Sequence, residues 1–402
     1  MKILIHTDEY FPTSQACAYR MGVMAEVLED MGHEVTVICS SANLDHGEKK
    51  VRKERIIYSP TISMKKKTTL MRLLNNVSFA ISSIFSAAIS GKCDLVITTS
   101  PPPLISISGW IIAKMKRARL VYDVRDIWPD VALEMGSFTK DSIYYKVFRL
   151  ITSFMYQHSD RITTVSKGKV SKIKKYVYAI TREKLATKKV KFVSNGFDES
   201  VLTYEYDPDF AEQYQLDRKF TCVYVGNIGL AQGLSSFLQL AEETKHKEIQ
   251  FLIFGQGAEK EKIEREAEER GLKQVKFCGI LPHEKIYTLL SKAQISFISL
   301  KSSNMKDSIP TKVYEALGIG CPVFLLAEGD SCDIVKETGL GCCLSPDDLS
   351  ELAGTFDRMV DQYEQIIGRK AQAMELMKEK YSRQQIARSF EKNIRKWMKE
   401  SV

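Results

Sequence analysis

The sequence predicts an α/β protein built from two doubly wound, Rossmann-like halves. Three observations point there. The chain has 402 residues, enough for two or three domains each with its own core. Residues 2–39 run from an apolar strand through an amphipathic helix to a second apolar strand, a β-α-β unit. The same rhythm starts again at Phe220.

Residues 2–7 read as a buried strand. They lead through Asp8-Glu9-Tyr10-Phe11-Pro12 into a helix over 16–31, with Met21, Met24, Val27, Leu28 and Met31 at helical spacing and Gly32 closing it. Residues 34–39 are the next strand. The loop after the first strand is not a G-x-G-x-x-G, which argues against a dinucleotide cofactor. Residues 45–67 are polar and basic and end in Lys65-Lys66-Lys67. A helix over 68–90 then carries Leu70, Leu73, Leu74, Val77, Ile81, Ile84, Phe85 and Ala88 on one face, with Arg72, Asn76, Ser83, Ser86 and Ser90 on the other. Two readings stay open for it: docking on an anionic membrane surface, or packing on the core beside a solvated lysine loop.

A strand over 94–99 ends in Ser100-Pro101-Pro102-Pro103, a stiff extended turn, before a helix over 104–116. The strand 119–123 delivers Arg125-Asp126-Ile127-Trp128-Pro129-Asp130 at its carboxyl end. Trp128 is suited to stack on the face of a sugar while Asp126 holds hydroxyls or a proton. The alternative is a structural Arg–Asp pair beside a core Trp. A helix over 143–158, a strand over 161–165 and a basic helix capped by Ser166 follow, and the lysines of 166–191 read as a solvated face. Ser194-Asn195-Gly196-Phe197-Asp198 is a turn signal that places the domain boundary near residues 196–205.

In the second half, the strand 220–225 enters Gly226-Asn227-Ile228-Gly229-Leu230-Ala231-Gln232-Gly233, where glycines let backbone N–H groups approach a diphosphate. Asn227 and Gln232 add donors without charge. The strand 249–254 ends in Gly255-Gln256-Gly257, a ligand loop or merely a tight turn. A charged helix over 258–270, a strand over 274–278 and a helix from His283 come next. Strands over 295–300 and 323–326 frame Asp307-Ser308-Ile309-Pro310-Thr311-Lys312-Val313-Tyr314-Glu315. Pro310 keeps the loop from turning helical early, Thr311 is the expected N-cap of a helix over 312–319, and Gly320 its left-handed C-cap. The amides of 311–313 and the Lys312 charge then sit at the carboxyl end of a parallel strand, where open α/β sheets bind anions. Glu315, one turn on, can accept two hydrogen bonds from a vicinal diol such as a ribose. The set describes a site for a phosphate attached to a sugar; the alternative is an ordinary core helix between two strands. Beyond 326 the chain reads as mostly helical, closing with a helix over 384–399 that has Ile386, Phe390, Ile394 and Trp397 on one face.

Asp307 and Glu315, with seven residues between them and Ala-Leu-Gly-Ile-Gly-Cys-Pro-Val after, resemble the Glu-x7-Glu donor motif of retaining glycosyltransferases of family 4, which have the GT-B fold. Here the first Glu is an Asp, one methylene shorter. Residues 308–315, 226–233 and 124–129 look like the bacterial branch that builds capsule and O-antigen repeats, including N-acetyl-L-fucosamine transferases. The similarity covers nearly the whole chain. It implies two Rossmann-like domains facing across a cleft: an acceptor-side domain over 1–198, to which a C-terminal helix (382–402) crosses back, and a nucleotide-sugar donor domain over 199–381. It further implies transfer of a sugar such as N-acetyl-L-fucosamine from a UDP-sugar, with retention and without a cofactor, to a polyprenyl-diphosphate-linked saccharide. The protein would be cytoplasmic and peripheral on the inner face of the cell membrane. Donor contacts would fall on Gly226, Asn227, Gln232, Gly233, Gly255, Asp307, Pro310, Thr311, Lys312, Val313 and Glu315, and acceptor contacts on Glu9, Arg125, Asp126 and Trp128. Asp126, Lys312 and Glu315 would carry the chemistry. Most of the wider family has an Arg and a Lys in the 226–233 loop, where this chain has Asn227 and Gln232, so Lys312 is the clearest cation left for the phosphates. Gln15-Ala16 stands where two glycines are common in the first loop.

Charge is uneven: residues 1–200 hold 31 Lys and Arg against 19 Asp and Glu, and the rest 27 against 31, so the halves are expected to meet different partners. No interleaved basic and aromatic stripes argue for nucleic acid. No cluster of carboxylates or histidines marks a metal site. The nine cysteines, odd in number and without a C-x-x-C, read as buried small hydrophobes in a reducing cytoplasm. The amino end has no signal-peptide pattern, and no apolar run reaches the roughly 20 residues that span a bilayer. Two rival functions remain: a sugar-nucleotide epimerase of the same fold, and a non-catalytic sugar or nucleic-acid binding protein.

Overall fold

The computed structural model describes residues 1–13, 15–47, 51–62, 69–134 and 139–400. The chain divides into two units, Met1–Asn195 with Arg383–Val402, and Gly196–Ser382.

Among the described residues of the first unit, seven strands form one parallel sheet: β1 (Lys2–His6), β2 (Glu34–Ser40), β3 (Arg55–Ser59), β4 (Leu95–Ser100), β5 (Arg119–Val124), β6 (Arg161–Thr164) and β7 (Val190–Phe192). Their order is β3-β2-β1-β4-β5-β6-β7. Helices α1 (Ala16–Asp30), α2 (Thr69–Ala88), α3 (Pro103–Lys116), α4 (Asp130–Glu134), α5 (Ile143–His158) and α6 (Lys167–Thr181) lie between them. Both faces of the sheet are covered, which is why the central strands are apolar throughout. Ile3 and Ile5 join a core with Met21, Leu28, Phe390 and Ile394. Leu4, pointing the other way, joins Phe79, Ile112 and Tyr156.

The second unit has a parallel sheet in the order β10-β9-β8-β11-β12-β13. Its strands are β8 (Thr221–Val225), β9 (Gln250–Phe254), β10 (Val275–Gly279), β11 (Ile295–Ser299), β12 (Val323–Leu326) and β13 (Gly341–Leu344). Helices α7 (Pro208–Gln213), α8 (Ser235–Glu243), α9 (Lys260–Glu269), α10 (His283–Lys292), α11 (Thr311–Gly318), α12 (Asp330–Thr338), α13 (Leu352–Asp361), α14 (Tyr363–Ile367) and α15 (Lys370–Tyr381) complete it. The last helix, α16 (Arg383–Lys399), belongs to the first unit and packs on α1. It buries Phe390, Ile394 and Trp397, and a buried His33 Nε2 to Glu391 Oε1 contact of 2.8 Å fixes its register. In both sheets the strand order reverses, between β1 and β4 and between β8 and β11. Open α/β sheets leave a crevice at such points, outside the carboxyl ends of the strands.

Three elements depart from the sequence reading. β3 lies inside the stretch read as polar and basic, and β13 inside the stretch read as mostly helical. Both are edge strands, paired on one side only, so neither carries the continuous apolar signal of a central strand. The third is α2, whose outward face is the apolar one. Leu70 is 65% exposed, Ile81 54%, Phe85 72% and Ile89 68%, whereas Asn75, Phe79, Ser83, Ser86 and Ala87 are buried. The polar groups on the inner face are satisfied: Ser59 Oγ donates to Ser86 Oγ at 2.8 Å, and Asn75 Nδ2 to Ile62 O at 2.7 Å. Phe79 stacks on the buried His6 ring with centroids 5.3 Å apart. Packing on the core therefore does not account for this stripe. α3 packs against both α2 and α5, and α5 exposes Ile143, Val147 and Leu150. Lys65, Lys66 and Lys67 lie outside the described residues. No helix among the described residues is long and apolar enough to cross a membrane.

Candidate functional site

In the second unit the loops leaving β8 and β11 meet at the point where the strand order reverses. α11 follows β11, and its start differs from expectation. Pro310 (φ −58°, ψ 134°) is the N-cap, and Thr311 is the first helical residue. The extended Pro310 presents its own carbonyl to the helix, and Val313 N donates to it at 3.0 Å. That bond occupies one of the three amides expected to be free; those of Thr311 and Lys312 have no acceptor among the described residues. The helix ends at Gly318, with Ile319 as C-cap and Gly320 at φ +76°. Gly320 N and Cys321 N donate to Leu317 O and Ala316 O at 3.1 and 2.8 Å, a Schellman closure.

Lys312 lies over β8. Its Nζ is 4.1 Å from the centroid of the Tyr224 ring, close enough for a cation–π contact. Gly226, at φ +133°, makes the room: a Cβ there would stand 2.4 Å from Lys312 Cε. Burial lowers the ammonium pKa from 10.5 to about 8, against an opposing pull from Glu315. Glu315 itself is half-buried and has no hydrogen-bond partner among the described residues. The charged pair thus sits at a helix start with acceptor and donor capacity unspent.

The 226–233 loop is fastened from below. Gly226 N donates to Phe254 O (2.8 Å), Ile228 N to Gln256 O (2.9 Å), Lys301 N to Ala231 O (2.9 Å) and Ser299 Oγ to Gln232 O (2.6 Å). Asn227 Nδ2 reaches Gln232 Oε1 at 3.4 Å, so the two uncharged donors expected here face each other. Gly233, at φ +57°, packs against Lys301. The Gly255-Gln256-Gly257 segment runs in close backbone contact with the 226–228 loop. A Cβ on Gly255 would meet Gly226 O at 1.8 Å, and one on Gly257 would meet Ile228 O at 2.1 Å. Gly255→Ala is accordingly expected to push the 226–229 backbone aside and cost about 1–3 kcal/mol of stability, read as a lower Tm. A variant with wild-type Tm would contradict this bracing. Asp307 is half-buried in a loop held by Ser331 Oγ to Ser308 O (2.8 Å) and Asp330 N to Lys306 O (3.2 Å). Lys301, exposed at the end of β11, is a second cation at this point. A single Lys after a strand carries no local signal, and the sequence reading passed over it.

In the first unit, Glu9, Arg125, Asp126 and Trp128 come together at the carboxyl ends of β1 and β5. Arg125 does not pair with its neighbour in sequence. Its Nη2 donates to Pro101 O at 2.7 Å, its Nη1 lies 3.7 Å from Glu9 Oε2, and its buried Nε has no acceptor among the described residues. Asp126 instead takes Lys169 Nζ at 2.9 Å, and the same ammonium donates to Arg125 O at 2.6 Å. Burial works to raise the Asp126 pKa, but Lys169 and then Arg125 outweigh it and hold the carboxyl below its usual range. Lys169 is 6% exposed in the first turn of α6, where Ser166 Oγ accepts its N–H at 3.2 Å. It is the exception in a lysine-rich stretch read as solvated. Trp128 is half-buried and meets Phe148 edge-on, centroids 5.5 Å apart.

Beneath these residues, Arg20 and Asp123 form a buried pair at 3.0 Å that also takes in Val193 O and Thr163 Oγ1. Nothing local in the sequence announces two residues so far apart. Asp8, next to Glu9, was likewise not singled out. Burial, and then Glu9, push its pKa up to about 7 against the pull of Arg125.

Two doubly wound units in one chain, one with a Lys–Glu helix start at its reversal point, are the architecture of the GT-B fold. The family description Glycosyltransferase Family 4 matches residues 20–201, and Glycosyl transferases group 1 matches residues 207–375. WcaI of Escherichia coli (strain K12), whose name assigns it to glycosyl transfer in colanic acid biosynthesis, is 27% identical over 377 residues, covering 88% of this chain and 90% of its own. WbjE of Pseudomonas aeruginosa, named as a glycosyltransferase, is 23% identical over 69% of this chain and 70% of its own. Sucrose-phosphate synthase from Thermosynechococcus elongatus superposes with a TM-score of 0.80 at 15% identity, over 98% of both chains. Anabaena HepE, solved with UDP-glucose, gives 0.72 at 14% identity over 98% of this chain and 100% of its own. The chain belongs to glycosyltransferase family 4 and has the GT-B fold.

Proposed function

We propose that this glycosyltransferase moves a sugar from a UDP-sugar to a polyprenyl-diphosphate-linked saccharide, with retention and without a metal ion, during capsule or O-antigen synthesis. N-acetyl-L-fucosamine is the candidate sugar. The observation that carries the reading is the half-buried Lys312–Glu315 pair at the start of α11, seated against the Gly226 loop. The relatives' names and the UDP-glucose held by HepE support it. Glu315 accepts the ribose hydroxyls. Lys312, the Thr311 and Lys312 amides and the 226–233 loop stabilise the leaving diphosphate, where negative charge develops and fixed donors have the most effect. The leaving phosphate then takes the acceptor's proton on the face the sugar bond has left, which yields retention. Asp307 faces the donor sugar, and Glu9, Arg125, Asp126 and Trp128 form the acceptor side. Proton NMR of the product tests the stereochemistry: an α-linked donor is expected to give an α-linked product, and full activity is expected in excess EDTA. A β-linked product, or EDTA-sensitive turnover, would overturn those parts of the reading.

The acceptor's lipid places the enzyme on a bilayer, and the apolar stripe of α2 with the exposed side chains of α5 is the surface suited to it. Exposed Arg72 on α2, Lys146 on α5, Lys140 just before α5 and Lys114 on α3, which packs against both, supply the positive charge that an anionic lipid surface requires. Replacing Ile81, Phe85 and Leu150 together with Ser removes three insertable side chains, at roughly 1.5–3 kcal/mol each. Co-sedimentation with phosphatidylglycerol vesicles is expected to fall more than about 100-fold. Equal co-sedimentation would remove this face from the account.

A further inference from the structure

We propose that Cys332 and Cys343 form a thiol–disulfide site on the second unit, a pair that a low-molecular-weight disulfide such as oxidised glutathione closes and a thiol reopens. Cys332 lies in the first turn of α12, and Cys343 in β13, which pairs with the strand leading into α12. α12 packs against β13, and both side chains turn to one core. Cys332 is buried there with Val335, and half-buried Cys343 packs against it. Cys343 Sγ reaches Cys332 O at 3.7 Å, and the two sulfurs lie within hydrogen-bonding reach of each other. Cys342 is one residue away but points to the opposite face, where its Sγ meets Met359 Sδ at 3.5 Å. The alternation of the strand thus selects one of two adjacent thiols. All three are free in this structure.

Cys332 is the nucleophile. The hydrogen bond from Cys343 and then, against burial, the Lys336 charge favour its thiolate, the form that attacks a disulfide. Lys336 is exposed one turn further along α12, so the sulfur it reaches sits at the solvent margin of the core, where Cys332 is 8% exposed. Cys343, whose proton the same bond retains, is the resolving thiol. The Cys332 thiolate forms a bond to one sulfur of the small disulfide and expels the other as a thiolate. That thiolate takes the Cys343 proton, and the Cys343 sulfur then displaces the second small thiolate from Cys332. Two cysteine sulfurs are oxidised, and one small disulfide is reduced to a thiol and a thiolate. The new bond ties α12 to β13 beside a loop that α12 already holds. Ser331 Oγ donates to Ser308 O at 2.8 Å and Asp330 N to Lys306 O at 3.2 Å, one and two residues before Cys332. Asp307 lies between those two contacts, so closure of the pair braces the start of α12 and, through it, the Asp307 loop.

The test maps the thiols of the full chain by mass spectrometry after equilibration in glutathione buffers of increasing oxidised fraction, acid quenching and alkylation. A Cys332–Cys343 disulfide is expected that forms as the oxidised fraction rises and is lost again in excess reduced glutathione. Cys342→Ser should leave it intact. Cys343→Ser, lacking the resolving thiol, should instead accumulate glutathione on Cys332, and Lys336→Met should slow alkylation of Cys332 at pH 7 severalfold. In hydrogen exchange, the Asp330 and Ser308 amides should exchange more slowly in the oxidised than in the reduced wild-type chain. Absence of the Cys332–Cys343 bond at every ratio, in wild-type chain whose thermal transition shows it folded, would overturn the site. So would glutathione settling on other cysteines of Cys343→Ser with Cys332 unmodified. Equal exchange in the two forms would overturn the brace on the Asp307 loop.

Discussion

Replacing Glu315 with Ala is expected to weaken UDP binding by roughly 10- to 150-fold. Its carboxylate has no hydrogen-bond partner among the described residues, so its hydrogen-bonding capacity is unspent until a diol arrives. A charge-assisted hydrogen bond contributes about 1.5–3 kcal/mol, which sets the range. Glu315 also supports the Lys312 charge, because its field opposes the lowering of that pKa by burial. The Ala variant should therefore lose more affinity near pH 8 than near pH 6.5, where Lys312 is charged regardless. Calorimetry with UDP at both values separates the two effects. Undiminished affinity at the lower pH would sink the ribose assignment.

UDP affinity of the wild-type chain is expected to fall as pH rises through about 8, and Lys312→Met should abolish that dependence. The sign follows from linkage. Burial has lowered the Lys312 pKa from 10.5 to about 8 in the free protein. A diphosphate beside the ammonium favours the charged form and raises that value again. Between the two values the complex holds one proton more than its separated parts, so the association constant drops about tenfold per pH unit. Below about pH 7 Lys312 is already charged and the curve is level. Lys312→Met loses a charge-assisted contact, roughly 10- to 150-fold in affinity at neutral pH, and should show a flat profile. A slope that survives in Lys312→Met would assign the titration to another group.

Much of the second unit was legible because its signals are local. Glycines at 226, 255 and 320, Pro310 before a short helix, and the order Lys312 then Glu315 each reflect a backbone or charge requirement satisfied within a few residues. The central strands were legible for the same reason, being buried on both faces and apolar throughout. What was not legible depends on partners distant in sequence. Edge strands β3 and β13 exist because β2 and β12 offer open edges, and their own residues say little. The amphipathic pattern of α2 revealed two faces without telling which meets the sheet. Only the tertiary structure shows Phe79 and small polar residues inward and Leu70, Ile81 and Phe85 outward. The alternative reading of Asp126 paired it with adjacent Arg125, yet its ion-pair partner is Lys169, which no local pattern separates from the surrounding lysines.

The measurement that tests the central claim most directly is UDP release from a panel of UDP-sugars, with and without a synthetic polyprenyl-diphosphate saccharide. The account predicts release from one donor that depends on the acceptor and is lost in the Lys312→Met/Glu315→Ala double variant. Conversion of the donor at equal rates without acceptor would contradict it and point to an epimerase or a hydrolase.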